Sequence, residues 1–83
     1  MNNLEQKDIN FMEAFHKKGM LTFAISMYGQ NITTKEMAKE SLDCIESLIY
    51  LMPSTKIPST DQTRYLNILK TEKAKLEKKM LTL

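Results

Sequence analysis

The sequence predicts an all-α fold: three helices in one small domain that pairs as a homodimer. Three observations carry this. No segment alternates apolar and polar residues as a half-buried strand does, and β-branched residues are few and scattered. Apolar residues recur instead at spacings of three and four, the period of a helix face. Glycine and proline occur only at Gly19, Gly29, Pro53 and Pro58, and these divide the chain into helix-length pieces. With 83 residues there is room for a single domain over residues 1–83. A chain of that size buries only roughly 60–65% of its unfolded surface, which makes a lone monomer marginal. Cys44 is the only cysteine, so no disulfide within the chain assists, and stability must come from helix packing or from pairing.

The first segment runs from about Leu4 to Tyr28. Phe11, Met12, Phe15, Leu21, Ile25 and Tyr28 mark its apolar face. Gly19 lies inside it, and a mid-helix glycine costs about 1 kcal/mol relative to alanine. Either the helix breaks there or another backbone approaches closely.

The stretch GQNITTKE, Gly29 to Glu36, then reads as a helix stop and a helix start. Gly29 can take a positive φ after the last turn, and Asn31 tolerates a turn conformation. Thr33 can accept from the Glu36 N–H while the Glu36 carboxylate reaches back, which is a capping box. Ile32 and Met37 have the spacing of a hydrophobic staple across it. The second helix follows from Thr34 to about Met52, with Ala38, Leu42, Ile45, Leu48, Ile49 and Met52 as its stripe. Pro53 ends it by forcing the preceding residue out of the α region.

After the linker PSTKIPS, Ser59 and Gln62 have capping-box spacing, and Asp61 suits the positive end of a helix. The third helix carries Tyr65, Leu66, Ile68, Leu69, Leu76 and Met80. Leu69, Leu76 and Leu83 recur every seven residues, but two steps fall short of the roughly three to four heptads of a coiled coil.

The net charge of +2 is too small to argue for nucleic acid, but its distribution is uneven. Residues 1–35 sum to +1, residues 36–62 to −3, and residues 63–83 to +4. The basic end, KTEKAKLEKK, reads first as a solvated helix supported by pairs such as Lys73 with Glu77. Its sharper readings are a phosphate-contacting helix or a docking face for an acidic partner. No aromatic residue lies within the run, which disfavours single-strand stacking. Seven methionines leave room for an adaptable contact surface.

Chemistry is hard to find. Asn31-Ile32-Thr33 is an acceptor sequon only in a secreted chain, and the N-terminus has acidic residues where a signal peptide needs a basic region and an apolar run. No stretch approaches 18 consecutive apolar residues. The free cysteine and the missing signal point to the cytoplasm. A phosphate loop needs several glycines after a strand, and Gly29 has neither. His16 lies between Phe15 and Lys17 with no nucleophile at a recognisable spacing, so it reads as a partly packed histidine. Cys44 lies near the stripe of the second helix and reads as a small buried hydrophobe, with Asp43 opposing thiolate formation. One Cys and one His make a metal site improbable on ligand supply. The expectation is no catalytic residue, no cofactor, no metal and no small-molecule substrate.

Taken as a whole, the pattern resembles a known family. Gly19 precedes Gly29 by ten residues, Asn31, Ile32 and Lys35 follow in GQNITTK, Glu46 lies in CIESL, and a helix resumes at TRYLNIL. This is similar to the small bacterial biofilm and acid-resistance regulators of the YmgB/AriR family. The likeness covers about residues 19–69, with residues 70–83 as a basic helical extension. The resemblance implies a non-enzymatic homodimer. It would act as a connector or modulator of transcriptional control in biofilm formation, acid resistance or the Rcs phosphorelay. The sequence offers Leu42, Ile45, Ile49, Leu69 and Leu76 as the dimer or partner face. Two rivals remain open. One is direct DNA binding through Arg64, Lys70, Lys73, Lys75, Lys78 and Lys79. The other is a helical co-chaperone or secretion adaptor.

Overall fold

The computed structural model describes residues 3–83, which form four α-helices and no strand. They are α1 (Asn3–Lys17), α2 (Leu21–Ser26), α3 (Lys35–Leu51) and α4 (Ser59–Met80), with 3-10 turns at Met27–Gly29 and Met52–Ser54. The all-α class is as the periodicity predicts, while the count of three is corrected to four because the first segment breaks at Gly19.

The break is a Schellman turn. Gly19 sits at φ +71°, its N–H donates to the His16 carbonyl at 3.0 Å, and the Met20 N–H donates to the Phe15 carbonyl at 2.9 Å. Those two bonds satisfy the last carbonyls of α1 and reverse the chain into α2. A Cβ added at Gly19 would meet nothing within 4 Å, so the backbone angle and not a close neighbour demands glycine there.

The next boundary differs from expectation by two residues at the positive-φ position and by one at the cap. Asn31, at φ 59°, takes the left-handed conformation, and Gly29 does not. The N-cap is Thr34, whose hydroxyl accepts from the Met37 N–H at 3.1 Å. The Thr33 hydroxyl contacts the Met37 sulfur instead, so the Thr33–Glu36 capping box and the Ile32–Met37 staple do not form. Ile32 is buried in the core and Met37 is exposed.

At the second connection α3 ends at Leu51 and passes into the 3-10 turn, with Pro53 near its start, where a missing N–H is harmless. Thr55 is buried and holds the linker: its hydroxyl donates to the Met52 carbonyl at 2.8 Å and accepts from the Ile57 N–H. Gln62 does reach back from α4, but to the Ile57 carbonyl at 2.8 Å and not to Ser59, and the N-cap is Pro58. Glu13 of α1 accepts from the Lys56 N–H at 2.8 Å, which ties the same linker to α1.

The tight connection makes α3 and α4 antiparallel, and they form the main packed pair, with α1 lying against α3 and α2 against α4. Met12, Leu21, Ile25, Ile45, Leu48, Met52, Leu69 and Leu76 are the large side chains fully removed from water. The basic segment after Lys70 is the second half of one continuous helix, and Leu76 anchors it in the core.

Candidate functional site

The five residues that the sequence offers as a partner face lie inside the chain's own core. Leu42, Ile45, Leu69 and Leu76 are buried, and Ile49 is partly buried against them. The stripes of α3 and α4 are complementary to each other, so neither is left for a second molecule.

The apolar surface that remains exposed is elsewhere. Met20, Phe23 and Met27 follow each other by three and four residues and share one face of α2 and its 3-10 extension. Their exposures are 44%, 61% and 47%. The opposite positions, Leu21 and Ile25, are fully buried. Thr22 faces α4, where its hydroxyl accepts from Arg64 Nη1 at 3.2 Å.

The six basic residues of α4 divide into two groups. Arg64 is engaged with Asp61 at 3.5 Å, with Thr22, and with the Tyr65 ring, whose centroid is 4.6 Å away. Lys73 pairs with Glu46 of α3 at 3.7 Å, and Lys75 with Glu72 at 3.7 Å. Lys70, Lys78 and Lys79 are exposed and, among the described residues, make no ion pair.

A polar cluster joins two helices. His16 Nδ1 lies 2.7 Å from the Tyr65 hydroxyl, the two rings meet edge to face at 5.6 Å, and His16 Nε2 lies 3.8 Å from Asp61. The order carboxylate, imidazole, hydroxyl has the look of a catalytic relay. Tyr65 is only 3% exposed, however, which removes its oxygen from any substrate. The cluster acts as a clamp between α1 and α4. His16 and Tyr65 are 49 positions apart, so only the sequence order of their helices could have hinted at it.

Cys44 is exposed, which corrects the expectation of a buried one. Partial covering of the thiol, together with the carboxylates of Asp8, Asp43 and Glu40, pushes its pKa up. Tyr28 is raised too, by burial first and then by Cys44 and Asp8. A raised thiol pKa suppresses the thiolate that redox and nucleophilic chemistry requires. Among the described residues no three His, Cys, Asp or Glu side chains are grouped to hold a metal ion, and no helix is long and apolar enough to cross a membrane.

No family model, curated protein or solved structure matches the chain.

Proposed function

We propose that this chain is a small non-enzymatic regulatory protein that works by binding other proteins through the outward face of α2. The observation that carries this reading is the exposure of Met20, Phe23 and Met27 beside a core already complete without them. The three side chains are already about half covered, so completing their burial is worth roughly half of the ~1.5–3 kcal/mol of a full burial each, enough together for an anchor. Methionines flanking an aromatic ring also adapt to differently shaped partners. A second copy of the chain is the first such partner. A short apolar patch can pack on itself about a twofold axis, and the homodimer then buries Met20, Phe23 and Met27 in place of Leu42, Ile45, Ile49, Leu69 and Leu76. The narrower role, modulating transcriptional control of biofilm formation, acid resistance or the Rcs phosphorelay, belongs to the same proposal. It rests on the residue pattern between Gly19 and Leu69.

Light scattering tests the dimer directly. The wild-type chain should scatter at twice its 9.6 kDa mass at micromolar concentration, and a Phe23→Asp/Met27→Asp variant at the single mass with its helicity retained. A wild-type monomer at about 100 µM would remove the dimer.

A further inference from the structure

We propose that the outer face of α4 is a contact surface for the phosphate backbone of duplex nucleic acid, separate from the apolar face of α2. Asn67, Lys70, Thr71, Ala74, Lys75 and Lys78 line a shallow open groove there, and all six are exposed. None is acidic, although α4 contains three acids. Asp61 is turned to His16 and Arg64. Glu72 is turned inward, with its side chain only 14% exposed and its Oε2 3.0 Å from where a Cβ on Gly29 would stand. Glu77 is exposed, follows Lys70 by seven residues and Ala74 by three, and so borders this face on its Lys70 side. The lining therefore carries three lysines and no carboxylate, with Glu77 at its edge and Glu72 tucked behind Lys75.

The chemistry of the face selects among polyanions. It carries no aromatic side chain, so it lacks the stacking platforms that hold single strands. It carries no apolar residue larger than Ala74, so it has nothing to insert below the headgroups of a bilayer. A duplex needs neither. Lys70 and Lys78 are eight residues apart, about 12 Å along a helix axis, which is comparable to the roughly 12 Å width of a major groove. Thr71 and Ala74 between them are small enough for close approach of the helix. The Thr63 and Thr71 hydroxyls already donate to the Ser59 and Asn67 carbonyls, so the lysines and the Asn67 amide are the donors available to phosphate. Lys75 is 69% exposed and stands 3.7 Å from the largely covered Glu72, so its ammonium still reaches solvent and phosphate. Three lysine contacts give sequence-independent binding on the order of 10⁻⁵ M at physiological salt.

The test is fluorescence anisotropy of a labelled 20-base-pair duplex of arbitrary sequence, titrated with the full chain at several salt concentrations. Three phosphate contacts predict about 40-fold weaker binding at 200 mM than at 50 mM salt, from a slope of roughly −2.7. Lys70→Glu/Lys75→Glu/Lys78→Glu should abolish binding with helicity and melting temperature retained. If that variant misfolds, the corresponding glutamine triple should weaken binding at least tenfold. Lys7→Glu/Lys35→Glu/Lys39→Glu, with the same charge change on other faces, should bind nearly as wild type. The proposal is overturned by absence of binding at 50 mM salt or by equal loss in the two glutamate triples. It is equally overturned if a single strand, polyglutamate or a phosphatidylserine vesicle binds as well as the duplex.

Discussion

Substituting Gly19 by alanine separates a broken first segment from a continuous one by the sign of a single number. At φ +71° an L-residue pays about 1–2 kcal/mol, while the stiffer unfolded chain returns about 0.4–1 kcal/mol. No neighbour lies within 4 Å of the added Cβ, so no steric cost enters. The net loss is about 1 kcal/mol, which for a domain of this size lowers the melting temperature by about 4–8 °C. Thermal melts followed by circular dichroism measure it, with Gly19→Asn expected to fall by less because asparagine tolerates the left-handed region. Were the helix continuous through residue 19, alanine would instead stabilise it by about 1 kcal/mol. A melting temperature that rises or holds would refute the Schellman turn and with it the four-helix architecture.

Three further outcomes follow from the caps, the core and the raised acids. Thr34→Ala should cost about 1 kcal/mol and Thr33→Ala only a few tenths, read as chemical-denaturation midpoints, because only Thr34 caps α3. Leu76→Ala should cost about 2–5 kcal/mol by the same assay. Truncation after residue 69 should accordingly leave an unfolded chain by circular dichroism, since it removes Leu76 from the core. Cys44 and Tyr28 titrate above their ordinary 9.0 and 10.0, so the fold prefers their protonated forms. That contribution is complete below about pH 9 and is lost as pH rises through the higher folded values. Melting temperature should fall as pH rises above about 9, and less steeply in Cys44→Ser/Tyr28→Phe; an equal fall in the variant would exclude these groups as the cause.

Much of this fold was legible because apolar spacing reports which helix face is buried. Ala38, Leu42, Ile45 and Leu48, and then Tyr65, Leu69 and Leu76, are buried as their periodicity requires. What they pack against was not legible. A stripe that meets a neighbouring helix of the same chain and one that meets a second molecule obey the same period, so an intramolecular core read as a dimer face. Adjacent residues with interchangeable roles set the limit at the turns. Thr33 and Thr34 both carry a capping hydroxyl, Gly29 and Asn31 both tolerate positive φ, and only the position of Ile32 in the core decides between them. Cys44 shows the same sensitivity, because one step along a helix rotates a side chain by about 100° and takes it from the stripe of Ile45 to solvent. The clamp of His16, Asp61 and Tyr65 depends on how α1 and α4 meet, which no local pattern encodes.

The turn after α2 connects the interior to the proposed anion-binding face, and the link can be broken on purpose. Gly29 leaves the space into which Glu72 folds. Alanine there asks the end of a flexible side chain to yield by a few tenths of an ångström. Leucine occupies the space outright and turns the carboxylate out towards Lys75 and Lys79, which border the same hollow. The carboxylate, already 3.7 Å from Lys75, then stands in solvent among the lysines and cancels up to about one phosphate contact, so the salt slope should become shallower by at most about one. Duplex affinity in 100 mM salt should drop several-fold in Gly29→Leu and little in Gly29→Ala. Adding Glu72→Gln should restore most of the loss, because the displaced group then carries no charge. A Gly29→Leu variant that loses affinity equally with and without Glu72→Gln would show that the leucine acts by distorting the turn, and the electrostatic account of the face would fail.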